Sequence, residues 1–284
     1  MIEKILLADS GTGNSEEMLK ALMEIPSIQR AAVTVLHVVP PQVTTDAMTE
    51  KLEEGGKILA NAVQSLNLDP SKVTAMLRQG DPKDTVCHVA EEINADLIIM
   101  GSRGLKRLVS ILENSVSQYV FQLSSRPMLL VKDDIYVKKI NRVMVAMDKS
   151  DAAKECLKLA LFLLRDIKGG QLILVHVNPD LTGKSTPSTS DHAEADPVLA
   201  PAVAEAKRMG VGYRCIVSSG KPGEQICSIA DEVNADLLML GSPDRRPSIA
   251  RGLPDLDRLL GTSLSDYVRV YANCPVLLTR TSAA

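Results

Sequence analysis

Tryptophan is absent from the 284-residue chain, and phenylalanine and tyrosine number only two and five. Activities that depend on stacking single-stranded bases against aromatic rings are therefore disfavoured. Neither sign of charge dominates, since 32 basic and 35 acidic residues leave −3. No general attraction to nucleic acid or to an anionic membrane follows from that balance. No apolar run approaches the ~20 residues that span a bilayer. The four histidines are scattered without ligand spacing, which argues against a metal site. Five cysteines, Cys87, Cys156, Cys215, Cys227 and Cys274, form no Cys-x-x-Cys pair. An odd count and no recognisable secretory leader read as reduced, mostly buried thiols in a cytoplasmic protein.

What is present is repetition. Asp9 matches Asp148 and Leu36-His37-Val38-Val39-Pro40 matches Val175-His176-Val177-Asn178-Pro179, both at an offset of 139. Glu92-Ile93-Asn94-Ala95-Asp96-Leu97 matches Glu232-Val233-Asn234-Ala235-Asp236-Leu237, and Gly101-Ser102 matches Gly241-Ser242, both at 140. Pro127-Met128-Leu129-Leu130 matches Pro275-Val276-Leu277-Leu278 at 148. Two copies of one domain follow, residues 1–133 and 140–281, with a short charged join and about eight extra residues late in the second copy.

Within each copy, short Val/Ile/Leu runs alternate with helical patterns. The first copy predicts strands at Lys4–Ala8, Ala32–Val39, Val73–Leu77, Leu97–Met100 and Met128–Val131, with helices near Ser15–Glu24, Thr45–Leu66, Lys83–Ile93 and Ile111–Leu123. The second copy predicts strands near Arg142–Met147, Gln171–Val177, Tyr213–Val217, Leu237–Leu240 and Val276–Thr279. The strands are nearly all apolar, as parallel strands covered on both faces are. The fold class is α/β: two tandem, open, doubly wound parallel sheets.

Ligands of such sheets bind outside the carboxyl ends of the strands. In the first copy that rim carries Asp9 with the turn Ser10-Gly11-Thr12-Gly13, then Val38, then Gly80-Asp81-Pro82, then Met100 leading into Gly101-Ser102-Arg103-Gly104. Glycine lets backbone N–H groups approach an anion, and a helix opening at Asn114-Ser115-Val116-Ser117 would offer further N–H groups and hydroxyls to phosphate. Arg103 adds positive charge. Asp9 repels phosphate and is better suited to accept from an amino group or a ribose hydroxyl. No residue is assigned a catalytic role, because no nucleophile–base set is signalled. A P-loop-like stretch, Asn178 to Ser185, lacks the first glycine, and Pro187 blocks the helix that the phosphate cradle needs.

Asp9, His37-Val38, Gly80-x-Pro82, Asn94-Ala95-Asp96-Leu97 and Gly101-Ser102-Arg103-Gly104 followed by nine residues and Asn114-Ser115 make the chain resemble the universal stress protein family in its tandem two-domain form. The resemblance implies an adenine-nucleotide hydrolase-like α/β fold and binding of ATP or a related adenine nucleotide, with Mg²⁺ accompanying a triphosphate. It places Asp9 and Val38 beside the adenine, and Gly101, Gly104, Ser115 and Val116 around ribose and phosphates. It also implies pairing of the last strands of the two copies as an internal pseudo-dimer, leaves a homodimer open, and implies neither nucleic-acid nor membrane partners. Asn114 stands where the nucleotide-binding branch has its third glycine. The second copy departs further: Pro243-Asp244 brings an acid toward the phosphates, and Asp148, Val177, Gly241, Ser263 and Leu264 would form a weaker or altered site. The alternative is an interaction or scaffold protein that binds no nucleotide. A slow ATPase ranks last, because nothing supplies a general base.

Overall fold

The computed structural model describes residues 2–102, 116–179, 191–242 and 263–280. Its chain divides into two compact units, Met1–Tyr136 and Val137–Ala284. The P-loop-like stretch from residue 180 onward, Arg103, Gly104, Asn114 and Ser115, and the Pro243–Thr262 insertion lie outside the described residues.

In the first unit the elements run β1 (Lys4–Ala8), α1 (Ser15–Met23), β2 (Ala32–Val39), α2 (Thr45–Leu66), β3 (Val73–Gln79), α3 (Pro82–Glu92), β4 (Leu97–Ser102), α4 (Val116–Leu123) and β5 (Met128–Lys132). The strands lie in the order β3-β2-β1-β4-β5, every neighbouring pair parallel. The second unit runs β6 (Arg142–Ala146), α5 (Asp151–Leu164), β7 (Gln171–Asn178), α6 (Asp191–Glu194), α7 (Ala200–Arg208), β8 (Gly212–Ser219), α8 (Pro222–Glu232), β9 (Leu237–Gly241), α9 (Leu264–Tyr271) and β10 (Val276–Thr279). Its order, β8-β7-β6-β9-β10, repeats the first, again all parallel. In both units the order reverses beside the first strand, which opens a crevice at the carboxyl rim.

The central strands account for the apolar runs. Ile5, Leu6, Leu7, Leu97, Ile98 and Ile99 are completely buried, as are Val143, Met144 and Val145. The expectation that the strands are covered on both faces fails at β3, none of whose seven residues is buried. It is an edge strand paired only with β2, so its polar Thr74, Arg78 and Gln79 face water at little cost.

The repeated Asn-Ala-Asp motif is structural. Asn94 and Asn234 take left-handed backbone angles (φ 52° and 49°), which asparagine tolerates best among residues with a Cβ, and so end α3 and α8. Ala95 and Ala235 are buried under that turn. The carboxylate Oδ2 of Asp96 then accepts from the N–H groups of Glu3 (2.8 Å) and Lys4 (2.9 Å), and Asp236 does the same for Asn141 (3.1 Å) and Arg142 (2.8 Å). Each aspartate clamps the start of its unit's first strand. Hydrogen bonds to a charged group contribute roughly 1.5–3 kcal/mol apiece.

Candidate functional site

In the first unit, the connection from β1 to α1 is six residues long, 9–14. Gly11 and Gly13 both have positive φ (78° and 94°), so the chain arches away from the sheet before α1 starts. The arch is tied at its far end, where Asn14 Nδ2 donates to the Ile135 carbonyl at 2.8 Å. Beneath it lies a cavity of about 650 Å³ at the carboxyl rim, where β1 and β4 part from each other. Asp9, Ser10, Val38, Met100, Gly101, Val116 and Ser117 all line it. The sequence-derived residues that are described thus meet around one hollow.

Asp9 is the chemically distinctive member. Its N–H continues the ladder by donating to the Leu36 carbonyl (2.9 Å), and its Oδ1 accepts from Gly11 N–H (3.1 Å). Its Oδ2 is buried with no hydrogen-bond partner, although the residue is only 5 % exposed. Burial pushes the carboxyl above the ordinary aspartate range, against the Gly11 N–H, which favours the ionised form, and Glu16 adds to the rise. A buried acceptor left unpaired is costly, and it is the kind of group a ligand's donor would satisfy.

Several lining residues were not legible as such in the sequence. The Nδ1 of His37 lies 2.8 Å from the Asp9 carbonyl, and the residue lines the cavity. Lys51, Glu54 and Ile58 close the hollow from α2. Ile58 belongs to the apolar periodicity of that helix, but its side chain is half-buried against the Gly11 arch while Leu59, Ala62 and Leu66 go into the core. Lys51 and Glu54 pair with each other at 2.5 Å on the exposed side.

The second unit corrects one repeat assignment. The sequence offset of 139 equates Asp9 with Asp148. The hydrogen bonds equate Asp9 with Met147, because Met147 N–H donates to the Val175 carbonyl (2.7 Å) as Asp9 does to Leu36, the residue matching Val175. The strand pairing agrees: Ala8 faces Leu36 and Ala146 faces Val175. The first strands therefore repeat at 138, and Asp148 takes the place of Ser10. Asp148 is exposed, and its Oδ1 accepts from the Ser150 N–H (2.8 Å) and hydroxyl (2.5 Å). It shapes a turn.

The connection into the first helix differs as well. The β6-to-α5 connection is four residues, 147–150, two shorter than its counterpart, with Ser150 capping α5 through Ala153 N–H (3.1 Å). The helix starts directly over Gly241, where a Cβ would lie 2.5 Å from backbone atoms of Ala152 and Ala153; at Gly101 the nearest such neighbour among the described residues is the Thr12 carbonyl at 3.8 Å. Thr279 Oγ1 also donates to the Ala152 carbonyl (3.3 Å). Ser263 is committed to capping α9, accepting from Asp266 N–H (3.2 Å), while Leu264 is exposed and Val177 half-buried. The first turn of α5 thus packs on Gly241, one of the five residues that the sequence groups as a second site.

Comparison with known proteins places this geometry. The universal stress protein family model matches the chain twice, over residues 1–132 and 139–280. The chain belongs to the universal stress protein family. It is 30% identical over 148 residues to universal stress protein YxiE of Bacillus subtilis, covering all of that protein with 46% of its own length. It is 32% identical over 119 residues to universal stress protein Sll1654 of Synechocystis sp., covering 76% of that protein and 42% of itself. A crystal structure of a universal stress protein from Archaeoglobus fulgidus shares the fold at a TM-score of 0.72 and 24% identity, over 98% of this chain and 96% of that one. This universal stress protein is therefore tandem: two family domains in one chain, each with the open parallel sheet of the family. Among its described residues no helix is long and apolar enough to cross a membrane, and no group of three or more His, Cys, Asp or Glu could hold a metal ion.

Proposed function

We propose that this tandem universal stress protein is a stress-response module whose first unit binds ATP or a related adenine nucleotide, and that the second unit serves the fold and partner contacts without nucleotide. The observation that supports the first half of this reading is the buried, unpaired Oδ2 of Asp9 in a hollow of about 650 Å³ at the sheet's carboxyl rim. Val38, Met100 and Ile58 supply apolar walls for a flat base, and Asp9 supplies an acceptor for its amino group. Ser10, Thr12 and Ser117 bring hydroxyls to the same hollow. Phosphates, repelled by Asp9, would point away from it, toward Gly101 and the segment that follows; Mg²⁺ would arrive with a triphosphate. The protein acts as a binder: Asp9 would be occupied by the base, which leaves no general base for hydrolysis.

The observation favouring a nucleotide-free second unit is the backbone of Ala152 and Ala153 against Gly241. Calorimetry on ligand-stripped protein with ATP, ADP, AMP and cyclic nucleotides tests the whole reading. One binding event per chain is expected, lost in Asp9→Ala. No heat with any of the four overturns nucleotide binding in favour of the scaffold reading, and two equal events overturn the assignment of the second unit. ATP turnover that disappears in a Gly101→Val variant would overturn the reading as a binder.

A further inference from the structure

The amino ends of β6, β7 and β8, on the rim opposite Gly241, border an open basin of about 960 Å³. Four cations stand around it, Lys138, Lys139, Arg142 and Lys168, against a single carboxylate, Asp236. That carboxylate is already spent. Its Oδ2 accepts from the N–H groups of Asn141 and Arg142, and its Oδ1 lies 3.8 Å from the Arg142 guanidinium. Lys138 and Lys168 are exposed and have no ion pair or hydrogen bond among the described residues.

The first unit carries the same aspartate clamp with different residues around it, as matching backbone bonds show. Ala31 N–H donates to the Ile28 carbonyl as Gly170 does to Ile167, and Val33 faces Val73 as Leu172 faces Tyr213. By that register Gly169, Gly170 and Gly212 replace Arg30, Ala31 and Lys72, and Asn141 replaces Glu3. Three side chains are gone and an acid has become an amide. Among the described residues, a Cβ on Gly169 would meet nothing within 4 Å and one on Gly212 only the Gly170 carbonyl at 3.6 Å, while Gly170 itself packs closely on Leu164 and Ile167, where a Cβ would lie 3.0 and 3.1 Å away. In the first unit Lys72 instead ties itself to the Gln29 carbonyl (3.2 Å), at the position of Lys168.

We infer that this basin binds a compact chain of phosphates, such as inorganic triphosphate or polyphosphate. Lysine ammonium groups bind phosphate as point charges without demanding one geometry, and several cations around one concavity reward a multivalent anion over a single carboxylate. An oligonucleotide fits less well. Tyr213 is the only aromatic among the described residues that line the basin; its hydroxyl is bound to Glu194 (3.0 Å), and Lys207 sits over its ring (5.6 Å).

Sodium triphosphate titrated into the isotope-labelled full chain tests this. Saturable amide shifts are expected at Lys138–Arg142, Lys168–Gln171 and Gly212, and the same shifts in Asp9→Ala, so that failure here is separable from failure of the nucleotide site. A Lys138→Glu/Lys168→Glu variant should keep its melting temperature and bind about tenfold more weakly at low salt, since two exposed contacts near 4 Å are lost. Tighter binding of a longer polyphosphate would assign the chain form, and equal binding the short anion. Absence of saturable shifts at these residues, shifts indifferent to the two lysines, or displacement of triphosphate by a single-stranded oligonucleotide would overturn the inference.

Discussion

The Nδ1 of His37 lies 2.8 Å from the main-chain oxygen of Asp9. A carbonyl oxygen only accepts, so this nitrogen carries the ring proton, and the imidazole holds the peptide from which the cavity's buried carboxyl projects. His37→Phe keeps an aromatic ring and loses the bond. It should cost about 1 kcal/mol in chemical denaturation and weaken adenine-nucleotide binding several-fold in calorimetry. Lower stability with unchanged affinity would reduce His37 to a packing role.

Asp9 makes stability depend on pH in a defined direction. Its folded carboxyl titrates above the ordinary value of 3.8, chiefly through burial, so the native state holds the proton longer than the unfolded chain. Its contribution is complete below the ordinary value and is lost as pH rises through the raised one. Asp9→Asn cannot ionise and can still accept from Gly11 N–H. The variant should be more stable than the parent at pH 7, by on the order of 1 kcal/mol, with the difference shrinking toward pH 4. Melting curves at the two pH values check this, and a difference of the same size at both would contradict it.

Gly101 and Gly241 are matched in sequence and opposed in surroundings. Gly241→Ala forces a methyl to within 2.5 Å of the Ala152 and Ala153 backbone and should cost roughly 3 kcal/mol or more. Among the described residues Gly101→Ala meets only a carbonyl at 3.8 Å, and it should cost under about 1 kcal/mol. Urea unfolding of the two variants gives the comparison, and equal losses would contradict the difference in packing.

Gly11 combines a φ of 78° with close contact to α2, where a Cβ would stand 2.9 Å from Ile58 Cδ1. Gly11→Ala should lose about 1–2 kcal/mol from the left-handed backbone and the displaced isoleucine. Because the arch roofs the cavity, adenine-nucleotide affinity should fall with it. Denaturation and calorimetry on the one variant read both effects.

Burial pushes the thiols of Cys156 and Cys215 up to about 12 and about 11, far from the thiolate form at neutral pH. Maleimide applied to the native protein should therefore label half-exposed Cys87 first and leave Cys156 and Cys215 unmodified until denaturant is added. Peptide mass mapping of the labelled chain decides it.

The fold was legible because its signals are local and doubled. Apolar runs such as Ile5-Leu6-Leu7 and Leu97-Ile98-Ile99 give the central strands, and the helical spacing of Leu59, Ala62 and Leu66 gives a covering face. The edge strand β3 was less so, because exposure on one side follows from having no outer neighbour, which no residue of Val73–Gln79 encodes by itself.

The site divides in the same way. The turn glycines, Asp9 and Ser117 could be placed at the carboxyl rim from chain order alone, since strand-to-helix connections of a parallel sheet all emerge there. The offset of Asp9 from its repeat partner could not, because string matching absorbs a one-residue shift that backbone hydrogen bonds resolve. Nor could the residues that α2 brings from some forty to fifty positions away. The sequence by itself determined the doubled α/β order and the rim at which the strand-to-helix connections gather. Tertiary structure alone decided how closely the first helix of each half approaches the matched glycine, because the two connections differ by two residues and only in the second does the helix backbone pack on that glycine, Gly241.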